Sequence, residues 1–202
     1  MEDVMSARDD TFEIKKPEVE TIVRKLSVTY NRFRFSFLKM EKAVDAALDA
    51  GDVTLAINVI IKVYQLPKDL IPKVGYSAKI SSIAMLVTET DVIWNLASGS
   101  FNSKVRCKLL LRASKCELLG EPRYRLKHII GHELSHARMA IDGYVYRDSE
   151  FATDVLALLV TGNYKGYADH LVTATGQYGY IRSDIRGEVF RCLALYSERI
   201  YL

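Results

Sequence analysis

His132 and His136 stand four residues apart with a carboxylate directly after the first, in the stretch His132-Glu133-Leu134-Ser135-His136. On an α-helix this spacing puts both imidazoles on one face, one turn apart, where they can reach the same metal ion. Glu133 projects about 100° around the helix from His132. That offset keeps its carboxylate off the metal and beside the place where a metal-activated water would sit. Two imidazoles and an offset carboxylate are the parts of zinc-assisted hydrolysis, with Glu133 as the general base that takes the water proton and later gives it to a leaving amine.

Catalytic zinc holds three protein ligands and leaves its fourth position open, so a further carboxylate or histidine must return to the pair. Glu150 opens a second helical stretch, Ser149-Glu150-Phe151-Ala152-Thr153-Asp154, with thirteen residues between it and His136. Asp154 lies one turn further on the same face. A loop of about six to eight residues would let the two helices pack antiparallel. Glu150 then completes the ligand set, and Asp154 accepts the free N–H of a ligand imidazole and fixes its tautomer. Asp142 sits where a metzincin would place an aspartate ligand, but Met139 occupies the position that such a turn reserves for glycine. His128 would extend the histidine face by one turn and reads as a packed or supporting residue. His170 could act as a third ligand in the manner of SprT-like proteases, though no motif surrounds it. An oxyanion donor is also required, and Tyr144, Tyr146, Tyr178, Tyr180 and Arg182 are the candidates.

The stretch His132 to His136 followed by Glu150-Phe151-Ala152-Thr153-Asp154 resembles the gluzincin metallopeptidases, whose HExxH helix is followed by a helix bearing E-x-x-[A/T]-D, as in HtpX-like and ImmA/IrrE-like proteases. The likeness covers residues 125 to about 162. It implies His132, His136 and Glu150 as ligands of one zinc ion, Asp154 behind them, and a protein or peptide as substrate. Two features depart from it: the interval between the motifs is short for ImmA-like proteins, and the membrane helices of HtpX-like enzymes have no counterpart.

The elements that must position these residues follow from periodicity. Residues 1 to 17 read as a polar leader ending at Pro17, and residues 18 to 66 carry apolar residues at helical spacing, broken at Gly51-Asp52 and closed by Pro67. Two or three helices are expected there. Tyr30 to Phe37 alternates aromatics with basic or polar residues, a pattern that could stack bases but more commonly packs aromatics into a core. Between Tyr76 and Ala113 short apolar runs and the alternation of Val105, Cys107, Leu109 and Leu111 predict a small sheet, with a helix over Ile80 to Leu86 as the competing reading. Val92 to Asn95, or Val105 to Leu111, could be an edge that pairs with extended substrate. Helical spacing returns from Arg125, with Gly162 as a C-cap, and two more helices follow around the turn Gly176-Gln-Tyr-Gly-Tyr-Ile181.

The 202 residues suit one compact unit: an N-terminal helical segment over 1–75 and a zincin-like α+β core over 76–202. A net charge of +3 is too small to announce a nucleic-acid partner. Three cysteines without a Cys-x-x-Cys spacing indicate neither a disulfide framework nor a cysteine zinc knuckle. Without a signal-like start or a long apolar run, the expected setting is the cytoplasm. The alternative to an enzyme is a regulatory or scaffold protein whose zincin-like domain binds a protein partner with little turnover. The intact Glu133 argues against it, since a structural zinc site needs no base.

Overall fold

The computed structural model describes residues 15–77, 84–95, 100–112, 123–147, 149–168 and 183–198. Helix α1 spans Lys16–Asp49. Pro17 stands in its first turn, where a missing N–H costs nothing, and the Glu18 carboxylate accepts the Lys15 N–H at 3.0 Å. Its inner face repeats at helical spacing through Val19, Ile22, Val23, Leu26, Tyr30, Phe33 and Phe37, all buried. The alternating segment is therefore helical: Tyr30, Phe33 and Phe37 enter the core, whereas Phe35 and Arg32 face outward. Gly51, at φ 72°, turns the chain, and Asp52 caps α2 (Val53–Tyr64) by accepting the Leu55 N–H at 2.9 Å.

A 3₁₀ turn at Lys68–Leu70 leads into β1 (Lys73–Ser77), followed by β2 (Ala84–Asn95) and β3 (Ser100–Arg112). The sheet order is β1-β3-β2, with β1 parallel and β2 antiparallel to β3. The run Lys108–Leu111 is paired on both sides, so that part of β3 offers no free edge to a peptide; β2 is an edge strand of this sheet. Leu109 and Leu111 are buried while Lys108 and Leu110 are half-buried, as the alternation predicts. Of the stretch that could equally be read as a helix, residues 84–86 are strand and 80–83 lie outside the described residues.

Helix α3 (Arg123–Ile141) carries the histidine pair and α4 (Glu150–Thr161) carries the acids. Between them Gly143, at φ 61°, ends α3: its N–H reaches Ala140 O and the Tyr144 N–H reaches Met139 O, the paired bonds of a Schellman cap. Ser149 caps α4, accepting the Ala152 N–H at 3.3 Å, and Gly162 closes it in the left-handed conformation. Helix α5 (Ser183–Glu198) packs on α1. The turn at 176–181 lies outside the described residues.

The chain is α+β and mostly helical, with one small mixed sheet. One buried apolar cluster runs from Val19 on α1 through Ile57, Leu109, Leu134 and Val155 to Leu193 on α5. α1 packs on α2, α4 and α5, and α3 packs on α4 and β2. No described helix is long and apolar enough to cross a membrane.

Candidate metal centre

α4 lies close against α3 because Gly131 has no side chain. A Cβ at Gly131 would stand 3.1 Å from Thr161 Cγ2 and 3.5 Å from Ala157 Cβ, both on α4. On its other side the Tyr64 hydroxyl, buried on α2, donates to Gly131 O at 2.9 Å, and Ser135 Oγ donates to the same carbonyl at 2.7 Å. Tyr64 and Ser135 thereby tie α2 to the back of the histidine helix. Neither was distinguishable by sequence pattern, since a tyrosine on a helix face and a serine inside a motif's variable positions have many other uses.

The front of that helix holds the convergence. His132 Nε2 lies 3.2 Å from His136 Nε2 and 3.0 Å from a Glu150 oxygen, and His136 Nε2 lies 3.4 Å from the other Glu150 oxygen. Tetrahedral zinc with ligands at ~2.0–2.1 Å sets them ~3.3 Å apart, close to the separations between the two imidazole nitrogens and between each of them and its nearer carboxylate oxygen. Among the described residues these three form the group able to hold a metal ion.

The outer nitrogens fix the tautomers. His132 Nδ1 is 2.7 Å from Asp154 Oδ1, and an ionised carboxylate can only accept, so the proton sits on Nδ1 and Nε2 carries a lone pair. His136 Nδ1 faces two acceptors, Arg147 O at 3.4 Å and Thr153 Oγ1 at 3.3 Å, whose own hydrogen goes to Ser149 O at 2.9 Å. Its Nε2 therefore also presents a lone pair. With both rings neutral, the two Nε2 lone pairs and the Glu150 carboxylate are three electron-pair donors that converge, an arrangement that a cation, proton or metal, stabilises.

Charge tells the same story. Burial pushes the His132 pKa down, but Asp154, Glu150 and Glu133 outweigh it and hold the ring well above its usual value. Burial pushes the Glu150 carboxyl up, and its contacts with His132 and His136 prevail, holding it at about 2. Asp154, fully buried, is also driven far below the usual carboxylate range: desolvation opposes, while His132 and His128 win. The pocket favours one positive charge at the histidine pair, whether proton or metal.

His128 is buried, and its Nε2 lies 3.2 Å from the same Asp154 oxygen. It therefore supports Asp154 rather than the ligand set, and burial pushes its pKa down. Asp142 is held in a two-bond ion pair by Arg138, Nε at 2.9 Å from one oxygen and Nη2 against the other. The guanidinium also donates to Gln65 O at 3.1 Å, so Asp142 braces the helix end and is absent from the ligand group. His170 lies outside the described residues.

Glu133 stands apart from the three ligand atoms. Its Oε2 accepts the backbone N–H of Leu86 on β2 at 2.7 Å. Leu86 pairs with Leu109 of β3, so an N–H directed at Glu133 points away from β3, off the outer side of the edge strand. Of the oxyanion candidates, Tyr144 packs edge-on against Tyr30 with centroids 5.7 Å apart, and burial raises its pKa to about 12. Tyr146 lies under the Lys25 ammonium at 5.5 Å. Both face α1; Tyr178, Tyr180 and Arg182 lie outside the described residues.

No protein-family model matches the chain, and neither a curated protein nor a solved structure does so.

Proposed function

We propose that the chain is a zinc-dependent metallopeptidase of gluzincin type, with His132, His136 and Glu150 as ligands and Glu133 as general base. The observation that carries this reading is the convergence of two Nε2 lone pairs and one carboxylate at about the tetrahedral spacing, with a second carboxylate beside them but outside the set. A structural zinc site closes its fourth position with cysteine or histidine; here the fourth neighbour is an acid held elsewhere.

Zinc held by these residues would polarise the scissile carbonyl and lower the pKa of the attacking water. The chain's own groups perform the rest. Glu133 removes a proton from the water as its oxygen adds to the carbonyl carbon, then delivers that proton to the amine as the C–N bond breaks. Asp154 holds His132 by its Nδ1–H, while Arg147 O and Thr153 hold His136, so both rings stay aimed through the cycle. An extended peptide beside β2 would present its carbonyls along the edge where Leu86 already meets Glu133, which favours a peptide bond as the target.

The test is Glu133→Gln, assayed on a peptide library and an unfolded protein, with metal content measured in parallel. The variant should keep about one zinc per chain and its thermal midpoint while losing at least ~10²-fold in rate. Undiminished cleavage would remove Glu133 from the mechanism. Wild type inert toward every substrate, with zinc bound, would favour the partner-binding reading.

A further inference from the structure

A cavity of about 150 Å³ opens where α1, the end of α4 and α5 meet, lined by Asn31, Arg34, Leu158, Leu159, Tyr164 and Leu193. That is room for a molecule of several heavy atoms rather than one trapped water. α4 is 12 residues long, so this end stands ~18 Å along the helix axis from Glu150. The cavity belongs to no part of the metal centre.

Its polar groups are donors in search of an acceptor. Asn31 is only 6% exposed, yet its Nδ2 has no hydrogen-bond partner. Arg34 makes one long contact, Nη1 to Val160 O at 3.4 Å, leaving most of its five N–H groups for something else. Asn31 and Arg34 are three residues apart on α1 and thus share a face. Gly162 makes room for the guanidinium: a Cβ there would lie 2.3 Å from both Nη atoms. No acidic side chain is among the described lining residues, so none of them supplies a countercharge to Arg34.

We propose that this cavity binds a small aliphatic carboxylate, its oxygens on the Arg34 guanidinium and Asn31 Nδ2 and its hydrocarbon part against Leu158, Leu159 and Leu193. The planar fork of arginine matches a carboxylate in two parallel bonds. The leucine walls select against phosphate, a more strongly hydrated dianion whose second charge a single guanidinium leaves uncompensated. The carboxylate can belong to a free short-chain acid or to the C-terminus of a peptide.

The experiment titrates the full-length protein with butyrate, inorganic phosphate, a leucine-ended tripeptide and the amide of that tripeptide. It reads heat by calorimetry and the shift of the thermal midpoint. Saturable binding of butyrate with a higher midpoint, and no response to phosphate, is the expected result. A free acid is the source if butyrate alone binds, and a peptide terminus if the tripeptide binds at least tenfold more tightly and its amide does not. Arg34→Met keeps the stem and removes the charge, and should reduce butyrate affinity at least tenfold. Asn31→Leu removes the unpartnered amide, so its midpoint without ligand should equal or exceed wild type while its butyrate response falls. No butyrate binding by wild type, an equal response to phosphate, or unchanged affinity in Arg34→Met would overturn the proposal. A lower ligand-free midpoint in Asn31→Leu would do so too, because it would make Asn31 a satisfied structural group.

Discussion

Oδ1 of Asp154 illustrates how much of the candidate metal centre rests on a residue outside the group that could hold the ion. Oδ1 accepts from His132 Nδ1 at 2.7 Å and stands 3.2 Å from His128 Nε2, all three groups being buried. Replacing Asp154 with asparagine removes the charge and lets an amide N–H face His132, which would turn the ring's Nδ1 into an acceptor and transfer the proton to Nε2. Zinc affinity should fall about 10- to 100-fold, whereas Asp142→Ala, which removes a group bound to Arg138, should leave it within about threefold. Chelator competition measures both, and a larger loss from Asp142→Ala would overturn the assignment of Glu150. The raised His132 pKa sets the sign of the pH dependence. A proton retained to higher pH competes with the metal, so zinc affinity should rise with pH through and beyond the ordinary histidine value of ~6.5, by up to ~10-fold per unit for each imidazole. Affinity flat between pH 5.5 and 8 would exclude the imidazoles as ligands.

Helices α3 and α4 bring the ligands together only if they cross closely, and at Gly131 a Cβ would stand 3.1 Å from Thr161 Cγ2 on α4. Valine there would drive two methyl groups toward Thr161, Ala157 and the Tyr64 hydroxyl. Overpacking of this kind costs about 1–3 kcal/mol. Gly131→Val should lower the thermal midpoint and also weaken zinc binding, since the helices part at the ligand side too. Normal zinc affinity in a folded Gly131→Val protein would show that the crossing distance does not set the ligand geometry. The neighbouring contact is separable: Tyr64→Phe removes the bond to Gly131 O and should cost about 0.5–1.5 kcal/mol in denaturant unfolding, with little effect on the metal.

Across the whole molecule, the first helix and the two helices that carry the candidate ligands share one core. Tyr30, Phe33, Phe37, Val44 and their neighbours on α1 are buried in the same cluster as Leu134 of α3 and Val155 of α4. A chain starting at residue 76 would lose α1, α2 and β1, leaving α4 without its cover. It should fail to give a cooperative thermal transition, and it should not hold zinc at the wild-type level. A folded, zinc-binding 76–202 fragment would mean that the N-terminal segment is an independent unit. In the intact chain, metal binding is linked to stability: free zinc at a hundred times its dissociation constant should add about 2.7 kcal/mol, and a chelator should lower the midpoint accordingly.

Sequence by itself determined what depends on neighbours within a turn or two. The helical period places His132 beside His136 and Glu150 beside Asp154, Gly162 closes its helix in the left-handed conformation, and Gly51-Asp52 breaks the first helical run. These features are local because backbone geometry alone relates residues three or four apart. The alternation of Leu109 and Leu111 likewise foretold a strand, but not that Lys108–Leu111 would be central and β2 an edge, since strand order is a matter of long-range pairing. Tertiary structure alone decided that two i, i+4 pairs face each other between α3 and α4, that Arg138 pairs with Asp142, that Leu86 meets Glu133, and that Arg34 and an unpartnered Asn31 line a cavity. Each of those contacts joins residues well beyond one helical turn apart or depends on a side chain's choice among several partners. Their spacing in the chain carries no trace of it, because packing of the shared core, rather than any local preference, brings them together.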